Sequence, residues 1–338
     1  MIIWGGVDNP GKEDPFSAEG AAYNPSTQRW RVIAEAPLLA RWGHSAVWTG
    51  EEMIVWGGSL DRLGKAGGAA YDPIADTWRM IADSGLRWER RSHTAVWTGK
   101  EMIIWGARPS DAKEEPVGLA YDPPSDTWRP IPEAPIADRA GHTAIWTGEE
   151  MIIWGGGRGE PIYSDGAAYD PVTDTWRLLP PSPLAPRGEH SAVWTGKEMI
   201  VWGGSAPLDV RLFTHFSDGA AYDPATNSWR LIAEAPISAR RGHTAVWMGN
   251  QMIVWGGTRH ISGSDSVKPL ADGAAYDPAT DQWVRLPESP LPPSLGYTAV
   301  WTGEQVLIWG VLVGDYDLLR NVGAAYKPAS AAALSAMA

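Results

Sequence analysis

Apolar and polar positions in this chain follow one pattern that recurs from end to end. Residues 242–257 contain an apolar strand ending in Trp, a tight turn with Gly, and a second apolar strand ending in Trp-Gly-Gly. The second strand occurs seven times, with its tryptophan at Trp4, Trp56, Trp105, Trp154, Trp202, Trp255 and Trp309. Short strands that recur with a period of about fifty residues predict an all-β repeat architecture.

Each full repeat contains four strand-sized pieces, which we name A, B, C and D. In the second repeat they cover residues 44–48, 53–58, 68–73 and 77–81. The A and B pieces carry apolar side chains on both faces, so both faces of their sheet must be covered. Blades stacked face to face around an axis provide that cover, and the pattern therefore predicts a β-propeller.

Turn residues stand where this arrangement requires them. The A–B connections carry a Gly, which tolerates the positive φ of a short hairpin. The C–D connections open with Asp-Pro, in which Pro fixes φ and the Asp side chain bonds the backbone two residues on. These pairs begin at Asp72, Asp122, Asp170, Asp223 and Asp277, with variants at Asn24 and Lys327.

Nearly all of the 21 tryptophans occupy repeat positions. Besides the seven in the B pieces, six end the A pieces: Trp48, Trp97, Trp146, Trp194, Trp247 and Trp301. Six more begin the D pieces: Trp30, Trp78, Trp128, Trp176, Trp229 and Trp283. Burying one indole contributes about 4–6 kcal/mol at ~25 cal/mol per Å². We therefore predict that the repeat tryptophans form the core and that stability belongs to the closed ring.

These motifs resemble the kelch repeat, which has His-Thr-Ala-Val, an apolar strand ending in Gly-Gly, and then Tyr and Trp separated by a short turn. The resemblance covers essentially the whole chain. The proteins that the chain resembles include six-bladed kelch adaptors, bacterial kelch-repeat proteins and the seven-bladed propeller of galactose oxidase. The catalytic cofactor of that oxidase is a crosslinked Tyr-Cys pair, which cannot form here because the chain has no cysteine.

The number of blades follows from counting the pieces. The chain has seven B and seven C pieces but six A and six D pieces, because it begins at B and stops after C at Tyr326. We predict an all-β kelch-type propeller of seven four-stranded blades, the first and last incomplete. The alternative is six blades closed by strands from both termini. We expect one domain at 1–328, with the Ala-rich tail at 329–338 partly replacing the missing D strand.

Composition excludes several classes of function. A net charge of −12 argues against a nucleic-acid partner, because no basic stripe is available to displace counterions from phosphates. The absence of cysteine excludes disulfides and thiolate chemistry. No apolar run is long enough to predict a transmembrane helix. We expect a monomer without a cofactor or a metal, and we favour an extracytoplasmic location although no signal peptide is visible.

Two sets of polar side chains recur just before or within the A pieces. The repeated arginines are Arg41, Arg90, Arg139, Arg187 and Arg240. Their spacing places them around one mouth of the channel, where five guanidiniums would suit a carboxylate or an acidic peptide. The alternative is that each arginine pairs with a neighbouring acid or carbonyl. The repeated histidines are interpreted as structural: His44, His93, His142, His190 and His243, with Tyr297 in the last copy.

Departures from the repeat point to one sector of the loop face. The B–C loops at 205–217 and 258–271 are long and hold the only histidines outside the repeat. We predict that these two loops form the rim of a binding site; the alternative is that they are solvated decoration. Non-repeat candidates for ligand contact are Trp42, Trp88, Glu189, Arg211, His215, Arg259 and His260, with Lys268 on the same loop.

Three functions compete at this stage. The first is a non-catalytic binding module for a protein, peptide or glycan ligand, since no catalytic constellation is apparent. The second is an enzyme that resembles the kelch-fold sialic acid mutarotases, in which arginines would hold a sugar carboxylate and a Glu or His would transfer a proton. The third is a structural array within a larger polypeptide. Because function resides in the site and not in the scaffold, we favour the first without naming its ligand.

Overall fold

A computed structural model shows an all-β chain built of antiparallel sheets. The structure describes residues 1–7, 16–59, 67–87, 90–110, 112–157, 159–207, 213–260, 267–293, 297–311 and 321–328. Seven of the sheets in this part of the chain are propeller blades, which confirms the predicted fold class. The tail at 329–338 lies outside the described residues, so its predicted role as a replacement strand stays a prediction.

The first four blades contain fifteen strands. Blade 1 comprises β1 (Ile2–Val7), β2 (Phe16–Asn24) and β3 (Arg29–Val32). Blade 2 comprises β4 (Trp42–Trp48), β5 (Met53–Ser59), β6 (Gly68–Asp72) and β7 (Thr77–Met80). Blade 3 comprises β8 (Thr94–Trp97), β9 (Met102–Trp105), β10 (Gly118–Asp122) and β11 (Thr127–Pro130). Blade 4 comprises β12 (Thr143–Trp146), β13 (Met151–Trp154), β14 (Gly166–Asp170) and β15 (Thr175–Leu178).

The last three blades include two extra hairpins. Blade 5 comprises β16 (Ser191–Trp194), β17 (Met199–Trp202), the hairpin β18 (Ser205–Pro207) and β19 (Phe213–His215), then β20 (Gly219–Asp223) and β21 (Ser228–Leu231). Blade 6 comprises β22 (Thr244–Trp247), β23 (Met252–Trp255), the hairpin β24 (Thr258–His260) and β25 (Val267–Pro269), then β26 (Gly273–Asp277) and β27 (Gln282–Arg285). Blade 7 comprises β28 (Tyr297–Trp301), β29 (Val306–Val311) and β30 (Asn321–Tyr326).

The turns adopt the geometry that their residues predict. Gly50 in the first described A–B turn has φ of 104°, and its counterparts in the other blades are also positive. At the C–D turn of blade 2, the Asp72 carboxylate accepts hydrogen bonds from the backbone N–H groups of Ile74 and Ala75, at 2.7 and 3.0 Å. These local devices fix the register of each blade before any contact between blades is made.

Contacts between consecutive blades repeat around the ring. The buried B tryptophan of one blade meets the A histidine of the next edge to face, as in Trp56 and His93 at 5.1 Å. The same indole contacts the D tryptophan of the next blade, as in Trp56 and Trp128 at 5.5 Å. Trp309 of blade 7 and Trp30 of blade 1 make this second contact at 4.5 Å. Blade 1 therefore follows blade 7, and the chain forms seven blades instead of the alternative six.

The tryptophan prediction needs one correction. The B tryptophans of blades 1 to 6 are buried, and Trp56, Trp154 and Trp202 have no exposed surface. The A and D tryptophans lie at the ends and outer edges of the blades and are only partly covered, with Trp48 49% and Trp30 40% exposed. The core therefore contains the B tryptophans, whereas the A and D tryptophans are only partly buried.

A polar belt joins the outer strands of neighbouring blades. Arg129 of blade 3 donates two hydrogen bonds, of 3.1 and 2.8 Å, to the Glu101 carboxylate in the A–B turn of the same blade. It also donates to the Tyr169 hydroxyl of blade 4 at 3.3 Å. Tyr169 donates in turn to the carboxylate of Asp174. Because a bidentate guanidinium–carboxylate pair fixes both partners, the belt holds adjacent blades in register.

Candidate functional site

The repeat arginines are packed inside the ring. Arg90, Arg139, Arg187 and Arg240 have no exposed surface, and Arg41 is 4% exposed. Arg41, Arg139, Arg187 and Arg240 each donate to backbone carbonyls on both sides, as Arg41 does to Leu39, Gly57 and Gly67 at 2.9–3.1 Å. These contacts favour the structural alternative, because a covered guanidinium presents no donor to a ligand. Ligand binding by these five residues stays a prediction.

Acids and aromatic rings complete the arginine pockets. Arg139 pairs with Asp165 at 2.6 Å and lies 4.0 Å from the ring centre of Tyr163. Arg240 pairs with Asp272 at 2.9 Å. Desolvation lowers the pKa of Arg90 to about 10, so this guanidinium stays protonated at neutral pH. Each pocket therefore holds a permanent cation at the root of a D–A loop.

The repeat histidines lie one layer below the arginines. His93 Nε2 is 2.8 Å from the Ser45 hydroxyl of the preceding blade, and His142 Nε2 is 2.8 Å from that of Thr94. Burial first, and the neighbouring arginine second, lowers the pKa of His93 to about 3. The first Gly of each Gly-Gly pair makes room for the ring, since a Cβ on Gly57 would stand 2.7 Å from His93.

The two long B–C loops come together as the sequence predicts. Hairpin β18–β19 is tied to the preceding D–A loop by a bridge between Ser205 and Gly188, with hydrogen bonds of 2.9 Å in both directions. Hairpin β24–β25 is tied in the same way by a bridge between Thr258 and Arg241, at 2.9 and 3.0 Å. Both hairpins are thus held by backbone bonds to the D–A loops at the rim of the channel.

Aromatic and charged side chains meet between the two hairpins. The rings of Phe213 and His260 stack at 5.1 Å with an angle of 15°, and His215 is 5.3 Å from His260. The Arg241 guanidinium lies 4.9 Å from the ring centre of Phe213 and pairs with Glu189 at 3.1 Å. We call these five residues the rim cluster.

Three of the five were predicted from sequence, namely Glu189, His215 and His260. Phe213 was interpreted as a loop anchor, and Arg241 was missed. Gly188 and Ala140 stand at that position in the two preceding repeats, but Arg91 stands there in blade 3, so the pair Arg240–Arg241 alone does not single out Arg241. The Arg241 guanidinium stacks on the Phe213 ring of hairpin β18–β19. Sequence spacing does not reveal this contact, because the two residues belong to different blades.

Glu189 adopts a backbone conformation that other blades assign mostly to glycine. Its φ is 54°, and Gly43, Gly141 and Gly242 occupy the same place with φ of 66°, 63° and 59°. A side chain in the left-handed region costs about 1–2 kcal/mol, so the carboxylate is retained at the expense of stability. Residues held in this way are concentrated at functional sites.

The imidazoles of the rim cluster are only partly accessible. Burial, then the positive charge of Arg241, then His260 lowers the pKa of His215 to about 4, so its ring is neutral at physiological pH. His215 Nε2 and both ring nitrogens of His260 are covered and have no hydrogen-bond partner among the described residues. No group of three His, Asp or Glu side chains suited to a metal ion was found in that part of the chain.

The outer face of hairpin β24–β25 is basic. Arg259 and Lys268 are cross-strand partners, so their side chains leave the same face, and both are exposed. Like charges directly opposite one another on two strands are destabilising. Neither forms an ion pair within the described ranges. Arg259 and Lys268 therefore form a positively charged patch on a chain whose net charge is −12.

A cleft of about 750 Å³ opens beside hairpin β18–β19. It lies between the B–C loops of blades 4 and 5 and is mainly apolar, with Ile162, Pro186 and Pro207 among its lining residues. Phe216 also lines it and covers the guanidinium of Arg187 at 3.9 Å. None of the five rim cluster residues lines this cleft, so it is a separate apolar surface against hairpin β18–β19.

The remaining predicted residues lie elsewhere or outside the described ranges. Trp42 stacks on Phe16 at 6.4 Å and carries Arg91 5.2 Å from its ring centre, so it belongs to a separate cluster on blades 1 to 3. Trp88 and Arg211 lie outside the described residues.

A comparison of two variants tests the strain at Glu189. Both Glu189→Gly and Glu189→Ala remove the ion pair to Arg241, but only glycine relieves the left-handed backbone. We expect Glu189→Gly to have the larger free energy of unfolding, by about 1 kcal/mol. Urea unfolding of both variants measures this difference. Equal stabilities would contradict the assignment of strain to this position.

Comparison with known proteins agrees with this geometry. A curated relative, N-acetylneuraminate epimerase of Yersinia enterocolitica, is 37% identical over 91 residues, which is 26% of this chain and 23% of the relative. The chain thus matches about a quarter of the length of that relative. No described helix is long and apolar enough to cross a membrane. The family model of the KLHDC2/KLHL20/DRC7 Kelch-repeats domain matches residues 1–204 and 141–319, and the chain therefore belongs to the kelch-repeat family.

Proposed function

We propose that this kelch propeller is a binding module whose rim cluster and basic hairpin hold an acidic peptide or an acidic glycan. The fold supports a binding role at the coarse level. The observation that supports an acidic ligand is the exposed cross-strand pair of Arg259 and Lys268, which lacks a protein counterion among the described residues. A bound carboxylate would remove the repulsion between the two cations.

The rim cluster lies on the other face of hairpin β24–β25, since His260 alternates with Arg259, and it would orient a ligand long enough to reach around the edge of the hairpin. Arg241 is already placed by stacking on Phe213 and by its ion pair to Glu189, so little side-chain entropy is lost when a ligand binds. A ligand carboxylate can replace Glu189 as the partner of Arg241. The neighbouring cleft would take the apolar part of the ligand.

Calorimetric titration tests this proposal with an acidic peptide, free N-acetylneuraminate and a neutral oligosaccharide. We expect saturable binding of at least one acidic probe, weakening at high salt, and no binding of the neutral one. The double variant Arg259→Ala with Lys268→Ala should lose at least about tenfold in affinity, since each charge-assisted contact contributes about 1.5–3 kcal/mol. The matched control is Lys100→Ala, an exposed cation on an A–B turn at the opposite end of the blades.

Two results would contradict the proposal. One is equal affinity for acidic and neutral probes, because charge would then contribute nothing. The other is an equal loss of affinity in Lys100→Ala and in the hairpin variant, because the effect would then follow net charge and not position.

An enzyme acting on an acidic sugar is the second candidate, and the similarity to an N-acetylneuraminate epimerase favours it. In that case Arg241 would hold the sugar carboxylate, and neutral His215 or the Glu189 carboxylate would accept a proton. Proton NMR of N-acetylneuraminate with catalytic amounts of protein measures whether its anomers interconvert faster. Binding without acceleration supports the module, and acceleration that is lost in Glu189→Gln supports the enzyme.

A further inference from the structure

A second guanidinium lies on two aromatic rings in another sector of the loop face. Arg91, in the D–A loop before blade 3, lies 5.2 Å from the ring centre of Trp42 in blade 2. Trp42 stacks in turn on Phe16 of blade 1 at 6.4 Å, with an angle of 23° between the rings. The rim cluster has the same order of layers, with Arg241 on Phe213 and a histidine ring beyond. The fold therefore contains two stacks of a cation and two rings.

The two arginines occupy the same place in the repeat. Arg91 and Arg241 each follow the buried arginine of their repeat and stand two residues before the A-strand histidine. Each contacts an aromatic ring of the preceding blade, which is Trp42 for Arg91 and Phe213 for Arg241. The surroundings of the two guanidiniums can therefore be compared position by position.

The comparison shows one difference, which is a carboxylate. Arg241 pairs with Glu189 at 3.1 Å, and Glu189 stands directly before the A-strand histidine of the preceding blade. In blade 2 the same position is Gly43, and the two residues share the left-handed conformation, with φ of 54° and 66°. A Cβ on Gly43 would lie 3.3 Å from the Cβ of Arg91. The position that supplies the carboxylate to Arg241 thus adjoins Arg91 too, but it carries no side chain there.

The Arg91 guanidinium is placed to receive a ligand. Arg91 is exposed, and no carboxylate among the described residues pairs with it. Its contact with Trp42 already restricts the side chain, so binding costs little further side-chain entropy. Ser92 follows it with φ of 64°, a conformation that costs stability in a residue other than glycine. The exposed Ser92 adds a hydroxyl donor beside the guanidinium.

We propose that Arg91, with Ser92 beside it and Gly43 next to it, binds an external carboxylate in the place that the Glu189 carboxylate takes at Arg241. A guanidinium binds a carboxylate through charge-assisted hydrogen bonds, and the glycine leaves room for the ligand. The carboxylate comes from an acidic side chain of a peptide or from an acidic sugar, which present the same group. This site shares no residue with the rim cluster or with hairpin β24–β25, so it does not depend on the function proposed above.

Nitrogen-15 NMR of the indole N–H groups measures binding at Trp42, whose signal is assigned with Trp42→Phe. The probes are the N-acetylated and C-amidated tripeptide Gly-Glu-Gly, its neutral counterpart Gly-Gln-Gly, N-acetylneuraminate and inorganic phosphate. We expect a saturable shift with at least one carboxylate probe and none with Gly-Gln-Gly. A shift with the acidic tripeptide alone supports a peptide ligand, and a shift with the sugar alone supports an acidic sugar.

Three results of this titration would overturn the proposal. The first is no shift with either carboxylate probe. The second is an equal shift with the acidic and the neutral tripeptide, because the charge of the carboxylate would then contribute nothing. The third is a shift with inorganic phosphate alone, because the site would then not be built for a carboxylate.

Substitutions at Gly43 test the comparison with Glu189. Gly43→Glu and Gly43→Ala both place a side chain on a left-handed backbone, but only glutamate supplies an internal carboxylate to Arg91. We expect Gly43→Glu to abolish the ligand-induced shift and Gly43→Ala to keep it. Equal responses of the two variants would overturn the proposal.

Two further variants locate the effect. Arg91→Gln removes an exposed charge and should also lose the shift. A shift that persists in Arg91→Gln would overturn the proposal. The double variant Arg259→Ala with Lys268→Ala should leave the Trp42 shift unchanged, so that a failure at the hairpin is distinguished from a failure at Arg91.

Discussion

Replacing Arg187 by alanine is expected to lower the free energy of unfolding by about 3 kcal/mol, because one guanidinium satisfies several buried groups. It donates to the carbonyls of Ala185 and Gly203 at 3.0 and 3.2 Å and grips the Asp218 carboxylate at 2.7 and 3.1 Å. Phe216 covers it at 3.9 Å. Truncation leaves two carbonyls and a carboxylate without their donor and opens a cavity.

Urea unfolding followed by tryptophan fluorescence measures this loss. The control is Arg259→Ala, which removes an exposed arginine and should change stability by no more than about 0.5 kcal/mol. A stable Arg187→Ala protein would contradict the structural role of the repeat arginines and would return them to the ligand-binding role considered from sequence.

Acidification is expected to destabilise the ring between pH 6.5 and 4, through its buried histidines. Burial lowers the pKa of His44 to about 4, and those of His93, His142, His190 and His243 to about 3. An unfolded histidine has a pKa of about 6.5. Between the two values the unfolded state binds more protons, so the stability present above pH 6.5 is lost as the pH falls.

The expected loss is large because five sites act together. At pH 5 each buried histidine contributes a destabilisation of about 2 kcal/mol, from ~1.36 kcal/mol per pH unit over roughly 1.5 units. Five sites sum to about 10 kcal/mol, which is comparable to the whole stability of an ordinary domain. Urea unfolding at pH 7, 6 and 5 measures the slope, and a stability that stays constant over this range would contradict neutral buried histidines.

A histidine variant separates this effect from that of the carboxylates. The pKa values of Asp76, Asp126 and Asp281 are lowered first by hydrogen bonds from the tyrosines of the polar belt, so these acids destabilise only at a lower pH. His142→Asn should reduce the slope between pH 7 and 5 by about one proton and leave the acid limb unchanged.

The fold was predictable because its determinants are local. The spacing of the Trp-Gly pairs predicted the number of B strands. The glycines between the A and B pieces predicted the hairpins, and Asp72-Pro73 predicted the C–D turn. Closure between Trp30 and Trp309 was not predictable, because a count of pieces allows either six or seven blades. Only the contact between distant indoles distinguishes them.

The contact between the two long loops was predictable, but the composition of the rim cluster was not. Two adjacent long loops with non-repeat histidines indicated one sector of the loop face, and the structure brings His215 and His260 together there. Ligand binding in this sector stays a prediction. Burial of Arg187 could not be inferred, since arginine is usually exposed and its carbonyl pocket forms only when the D–A loop meets the B–C loop of blade 5. Arg241 was missed because its partner Phe213 lies in a different blade.

The account rests on a division between repeat residues that build the ring and non-repeat residues that contact the ligand. Measuring both the melting temperature and the affinity for an acidic probe, in Arg187→Ala and in the double variant Arg259→Ala with Lys268→Ala, tests this division most directly. We predict that Arg187→Ala loses stability and, below its melting temperature, keeps its affinity, whereas the hairpin variant keeps stability and loses affinity. The reverse assignment, with affinity lost and stability kept in Arg187→Ala, would contradict it.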